Sequence, residues 1–164
     1  MAICPCERPL ARPSRSLVIV AGGGRDLTWP HPRVATQLLL AAGSRPVHRL
    51  LHGGARGADA AIARAAHQLG WPVSAHPADW SRHGRAAGPI RNRELLELAL
   101  RHALAHRSPL AEVSLLVVAF PGGPGTASLV RQARRMAERA PLPIVVHQIQ
   151  PPALLAPQEL AVAA

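Results

Sequence analysis

Three glycine-rich turns hold most of the residues in this chain that could do chemistry. The first is Ala21-Gly22-Gly23-Gly24-Arg25-Asp26. The second is His52-Gly53-Gly54-Ala55-Arg56-Gly57-Ala58-Asp59, and the third is Pro121-Gly122-Gly123-Pro124-Gly125-Thr126. Each follows a short aliphatic run and precedes a stretch with helical spacing. Backbone N–H groups at a helix start have no partner inside the helix, and the helix dipole favours negative charge there. Glycine removes the Cβ that would block a phosphate. The turns therefore point to an anion, and three of them at the same structural step point to a nucleotide. Gly22, Gly23, Gly53, Gly54, Gly122, Gly123 and Gly125 are the candidate cradle. Arg25 and Arg56 are candidate phosphate partners, since a guanidinium meets phosphate in a two-pronged geometry. Asp26 and Asp59 could accept ribose hydroxyls or cap the helices that follow, and Thr126 could cap a helix or donate to phosphate.

The connection 77–93 adds a second set. It reads Pro77-Ala78-Asp79-Trp80-Ser81-Arg82-His83-Gly84-Arg85-Ala86-Ala87-Gly88-Pro89-Ile90-Arg91-Asn92-Arg93. Such long connections in small domains usually serve a function or lack order, and this one is expected to lie over the glycine turns as a lid. Trp80 could stack on a base or anchor the loop. His83 is the histidine best placed for proton transfer. Gly88-Pro89 suits a helix start with proline first, which would put Arg91 and Asn92 in the first turn, facing the ligand. Asp79, His83, Arg91 and Glu94 are the candidate catalytic groups. Glu94 and Glu97 fit equally well on a solvated helix face, with Glu97 four residues before Arg101.

The elements that must position these residues alternate. Strands are expected near 17–21, 47–52, 72–76, 114–120 and 143–148. Each is rich in Val, Leu or Ile without clear polar alternation, as in strands covered on both faces. Helices are expected near 31–42, 57–69, 90–106 and 125–139, where apolar residues such as Val34, Leu38, Leu39 and Ala42 recur at helical spacing. Alternating β and α elements imply an α/β, Rossmann-like doubly wound parallel sheet of about five strands with helices on both faces. Right-handed crossovers give the strand order 3-2-1-4-5, with a topological switch between the first and fourth strands where ligands bind. The turns at Gly22 and Gly122 would flank that crevice, with the turn at Gly53 beside it. Residues 16–149 read as the folded domain. Residues 1–15 and 150–164 read as flexible tails, the second with a short helix around Gln158 to Val162.

Composition narrows the chemistry. All 19 basic residues are arginine; the chain has no lysine and no tyrosine. A Schiff-base lysine, the lysine of the common phosphate loop and a tyrosine base are thereby excluded. The formal charge of +10 fits either a general bias toward Ala, Arg, Gly and Pro or an acidic partner. It is concentrated in the folded part, with sixteen arginines against seven acids over residues 16–149, which suits a phosphate-bearing partner. Cys4 and Cys6 have no second pair at metal-finger spacing, so no metal is expected. No apolar run has spanning length and the first fifteen residues lack a signal-peptide core, so a cytoplasmic protein without a membrane partner is the expectation.

Five collinear blocks together resemble the small YspA-like proteins of the SLOG superfamily. They are Val20–Asp26, Leu51–Asp59, Pro77–Trp80 with His83-Gly84, Ala87–Arg93 and Ala119–Ala127. The resemblance spans residues 17–148. It implies a Rossmann-like fold, binding of nucleotides or nucleotide-derived ligands in sensing or in conflict with phage and mobile elements, no required cofactor, and homo-oligomers as among the relatives. A wider relative is the lonely-guy (LOG) family, which cleaves the N-glycosidic bond of nucleoside monophosphates and carries Pro-Gly-Gly-x-Gly-Thr-x-x-Glu. The glutamate position here is Leu129. A leucine cannot stabilise a developing sugar cation or assist hydrolysis, so standard phosphoribohydrolase activity is disfavoured. Hydrolysis would need Asp79, Glu94 or Asp26 in its place. The DNA-processing DprA proteins are further relatives, which adds nucleic acid as an alternative partner.

Overall fold

The computed structural model describes residues 14–151. The tail beyond Pro151, Cys4 and Cys6, and the helix expected near Gln158 lie outside the described residues, as does the first tail up to residue 13. Five parallel strands form one sheet in the order β3-β2-β1-β4-β5. They are β1 (Ser14–Gly22), β2 (Val47–His52), β3 (Val73–Ala75), β4 (Ala111–Ala119) and β5 (Ile144–Gln148). The helices are α1 (His31–Ala42), α2 (Ala58–Gln68), α3 (Trp80–His83), α4 (Ala87–Ala105) and α5 (Pro124–Ala137). The strand order expected from right-handed crossovers is the observed one.

Alternate residues of β1 feed two cores. Leu17, Ile19 and Ala21 point to one face and pack with Val34 and Leu38 of α1 and with Ile62 and Ala65 of α2. Val18 and Val20 point to the other and pack with Leu95 and Ala99 of α4 and with Leu129 and Ala133 of α5. The period of two sends successive side chains to opposite faces, and because helices cover both, neither set may be polar. This is why β1 reads as an unbroken apolar run.

Two boundaries differ from the sequence expectation for a physical reason. β1 and β4 both begin three residues early, because Ser14, Arg15 and Ser16 pair with Ala111, Glu112 and Val113 in the same ladder. Polar side chains hide this extension; Arg15 Nε meets Glu112 Oε2 at 2.9 Å across it. The segment 77–93 is not an irregular loop. Asp79 caps α3 by accepting from the Arg82 amide at 3.0 Å, a single 3-10 turn spans Gly84–Ala86, and α4 starts at Ala87. Pro89 is therefore the third residue of α4 rather than the first. Its missing N–H is harmless there, since that position has no acceptor inside the helix. Among the described residues, no helix is long and apolar enough to cross a membrane.

Candidate functional site

The C-terminal ends of β1, β2 and β4 meet at one edge, and the three glycine turns emerge there. The first interlocks with both of the others. The Gly24 amide donates to Pro121 O at 2.9 Å, the Phe120 amide to Gly22 O at 2.8 Å, and the Ala58 amide to Gly24 O at 3.0 Å. These bonds fix the first turn against the third and against the start of α2. The close approach needs glycine: a Cβ on Gly23 would lie 2.7 Å from Ala58 Cβ and 2.8 Å from Phe120 Cβ.

Between the first and third turns lies a cleft of about 770 Å³. Its floor is formed by Gly22, Gly23, Gly53 and the first turn of α5, with Gly122, Gly123, Gly125 and Thr126. Gly123 is the N-cap of α5 and supplies no side-chain cap. The amides of Gly125 and Thr126 thus lack a partner within the helix, and the helix is long enough for its dipole to be felt at that end. Nothing lies within 4 Å of where a Cβ would sit on Gly123 or Gly125. The wall beside α5 is the start of α4. Asn92 Nδ2 donates to Gly125 O at 3.2 Å, and Gln132 Nε2, in the middle of α5, donates to Pro89 O at 3.1 Å, stitching the start of α4 to α5.

Four arginines, Arg25, Arg85, Arg91 and Arg131, line this cleft against two acids, Asp26 and Asp59. Arg25 lies over the Trp80 ring, its Cζ 4.8 Å from the centroid. Trp80 also reaches toward α4, where a Cβ on Gly88 would lie 3.5 Å from Trp80 Cη2. The indole and guanidinium thereby form a half-exposed stack at the mouth of the cleft. Arg25 and Arg91 were expected at this site; Arg85 and Arg131 were not. Arg131 lies on α5 one turn past Ser128, which also lines the cleft, so helical spacing from the third turn was its available signal.

Asp59 and Arg91 form the buried part of the site. Arg91 Nη1 lies 3.9 Å from Asp59 Oδ2, with the side chains only 18% and 5% exposed. Asp59 Oδ2 also accepts from the Ala55 amide at 3.1 Å. Burial raises the Asp59 carboxyl above its ordinary range, opposed by the Ala55 amide and by Arg91. Burial likewise weakens the hold of Arg91 on its proton, opposed by Asp59. The guanidinium fills the space where Gly53 lacks a side chain. Among the described residues its one hydrogen bond is long, from Nη1 to His76 O at 3.5 Å, and its buried Nε has no partner. A guanidinium has five N–H donors, so Arg91 holds most of its capacity in reserve.

A second cavity of about 540 Å³ lies on the β2–β3 side and is lined by Gly54, Arg56, Pro77 and Ala78. It shares Arg25, Gly53, Ala55, Trp80 and Arg91 with the first. Arg56 is exposed there, with Nη2 3.6 Å from Asp26 Oδ1. Next to this cavity, His52 is buried at the end of β2. The Gly54 amide donates to His52 Nδ1 at 3.2 Å, so that nitrogen is unprotonated. Burial, with His76, Arg91 and His67 nearby, lowers the imidazole to about 4 and keeps it neutral.

The structure thus gathers most of the expected ligand-contacting residues around two adjoining cavities. It leaves three candidates outside both: Asp79, His83 and Glu94 line neither. Asp79 is spent on α3, accepting from Ser81 Oγ at 2.6 Å as well as from the Arg82 amide, and these bonds hold its carboxyl below the ordinary range. Glu94 is exposed on α4. Leu129 does line the cleft, at 4% exposure, and its Cδ2 lies 3.2 Å from the Cβ position of Gly22. Asp59 Oδ1 approaches the same position at 3.8 Å.

Comparison with known proteins agrees with this architecture. A model of the YspA, cpYpsA-related SLOG family matches residues 17–83, which include the first two glycine turns and the Asp79-Trp80 segment. The Gene 61 protein of Mycobacterium phage D29 is 36% identical over 101 residues, which cover 58% of this chain and 68% of that protein. From the fold, the glycine turns and these two matches, the chain belongs to the YspA, cpYpsA-related SLOG family.

Proposed function

We propose that the cleft binds a nucleotide or a nucleotide-derived small molecule and that the domain works as a sensing or regulatory module. Membership of the SLOG family fits a nucleotide-related binding or modifying role. The observation that carries the reading is the convergence, at the switch between β1 and β4, of the uncapped start of α5 with four arginines from separate segments. In this reading a phosphate sits on the amides of Gly125 and Thr126, with Arg131 beside it. Arg25 and Arg91 neutralise charge across the cleft, and Trp80 offers a face to a base.

A hydrolytic reading rests on one further observation. With Leu129 at the glutamate position, and Asp79 and Glu94 outside the cleft, Asp59 is the buried carboxyl nearest to it. Its raised affinity for a proton suits a group that accepts a hydroxyl or water proton.

Both readings are tested on one set of samples. Nucleoside mono- and diphosphates and ADP-ribose, screened by thermal shift, are expected to stabilise the protein, by about 2.7 kcal/mol for a ligand at a hundred times its Kd. Arg25→Ala is expected to reduce that shift. No shift with any nucleotide overturns the binding reading. The same samples are assayed for free base: release that is lost in Asp59→Asn favours the hydrolytic reading, and no release removes it.

A further inference from the structure

We infer that the edge of the sheet opposite the cleft carries a proton-sensitive latch. His48 of β2 and His106 at the end of α4 stack on each other, seat the last turn of α4 on the sheet while the pair is uncharged, and release it as the pair takes up protons. The inference is independent of what the cleft binds.

The latch begins at an irregularity in β2. Leu17 of β1 pairs with Val47 and Val18 with Arg49, so His48 is an extra residue without a partner in that ladder. A bulge of this kind re-aims a side chain. His48 is aimed at the end of α4. Its Nε2 lies 2.9 Å from Oγ of the buried Ser16, and its ring centroid lies 4.5 Å from that of His106, with the planes 33° apart. His106 is the C-cap of α4: its amide and its Nδ1 both meet His102 O, at 3.3 and 2.8 Å. A carbonyl only accepts, so this Nδ1 carries a hydrogen. The stack thus joins the C-cap of α4 to the start of β2.

Acid changes the charge of the pair and leaves its hydrogen bonds in place. A hydroxyl can accept from a charged Nε2–H, and His106 already donates to its carbonyl. Two neutral imidazoles stack, whereas two cations at this separation repel. The surroundings do not offset that repulsion. Among the described residues no ion pair includes a histidine. The charged groups acting on His48 and on His102, one turn before His106, are all basic: His106 on the first, and Arg49, His106, His76 and Arg101 on the second. β1 contributes the uncharged Ser16, while Arg15 and Glu112 pair with each other and Arg107 is turned to Pro141 O at 2.8 Å. Burial, and then these cations, lower both His48 and His102 from the ordinary 6.5. A lowered histidine contributes stability that is complete above 6.5 and is lost as pH falls through its own lower value. The loss falls on the last turn of α4, whose first turns carry Arg91 and Asn92 of the cleft wall.

The test is amide hydrogen exchange on the full chain, expressed as protection relative to the unfolded chain's rate at each pH. Between about pH 7.5 and about pH 5, protection over residues 102–106 is expected to fall at least about tenfold more than over residues 134–137, the corresponding turn of α5. His106→Phe keeps an aromatic ring in the stack without the proton and is expected to remove that excess. His106→Ala removes the ring and is expected to leave residues 102–106 less protected than in the native protein already at the higher pH. No excess in the native protein, an undiminished excess in His106→Phe, or native protection in His106→Ala overturns the latch. The His106 side chain is exposed, so both variants are expected to fold, which thermal melting checks. His48→Gln, whose amide can still meet Ser16, repeats the test from the other ring, with the excess again expected to vanish and its persistence again overturning the latch.

Discussion

The first and third glycine turns look alike in sequence to the second, yet the three use their missing side chains differently. At Gly24 and Gly57, the absent Cβ lets one backbone press on another, and at Gly22 and Gly23 it admits neighbouring side chains. A Cβ on Gly57 would collide with the Arg25 carbonyl, and Gly57 holds a φ of +75°. At Gly53, the vacant space seats the Arg91 guanidinium. At Gly123 and Gly125 the space is open. A glycine turn is therefore a packing device, a socket for a side chain or an approach for a ligand, and the neighbours decide which. The half of the edge between β1 and β4 ends in open amides, whereas the half around β2 is built on buried charge and a neutral histidine.

That contrast can be broken by substitution. The largest effect is expected at the packing glycine. Gly57→Ala combines a left-handed φ with a backbone clash, and chemical denaturation is expected to show a loss of about 3 kcal/mol. A loss below about 1 kcal/mol would mean that the turn is loose and the interlock between Gly24 and Ala58 is not rigid.

The next effect tests the β2 side through pH. His52 ordinarily titrates near 6.5 but is lowered to about 4 in the fold. A depressed histidine contributes stability that is complete above 6.5 and is lost as pH falls toward 4, because the unfolded chain takes up the proton first. His52→Asn keeps an acceptor for the Gly54 amide without the titration. Its stability is expected to fall less than the native protein's between pH 6.5 and 4, by about 2 kcal/mol. Asp59, raised by burial, works in the opposite direction and is common to both proteins, so the difference isolates the histidine. Parallel pH profiles would show that His52 is accessible to protons in the folded state.

The smallest effect on stability belongs to the open turn. Gly125→Ala lies in the first turn of α5 with no neighbour to meet, and is expected to change stability by less than about 1 kcal/mol, in the stabilising direction. The same substitution is expected to weaken nucleotide binding, read by thermal shift, because the methyl group intrudes on the phosphate position. Unchanged binding would move the phosphate off the start of α5.

Much of the fold was legible in the residues. Unbroken aliphatic runs such as Leu17–Ala21 signal strands covered on both faces, and their alternation with helical spacing leaves one strand order under right-handed crossovers. The polar ends of β1 and β4 were not legible, because Ser14–Ser16 owe their pairing to partners near residue 112 rather than to any local preference. The segment 77–93 misled for a similar reason. Its glycines, prolines and charges read as loop, but the Asp79 cap and contacts with α4 fold it into helical turns.

The sequence by itself determined the sheet, the three turns, the excess of arginine and the leucine at residue 129, since composition, period and local spacing carry those directly. Only the tertiary structure decided which glycines are open, that Arg91 lies in the socket of Gly53, that Arg85 and Arg131 join the cleft while Asp79, His83 and Glu94 do not, and that a second cavity adjoins the first. These are facts about residues far apart in the chain meeting across an edge, and no local pattern encodes how close they come.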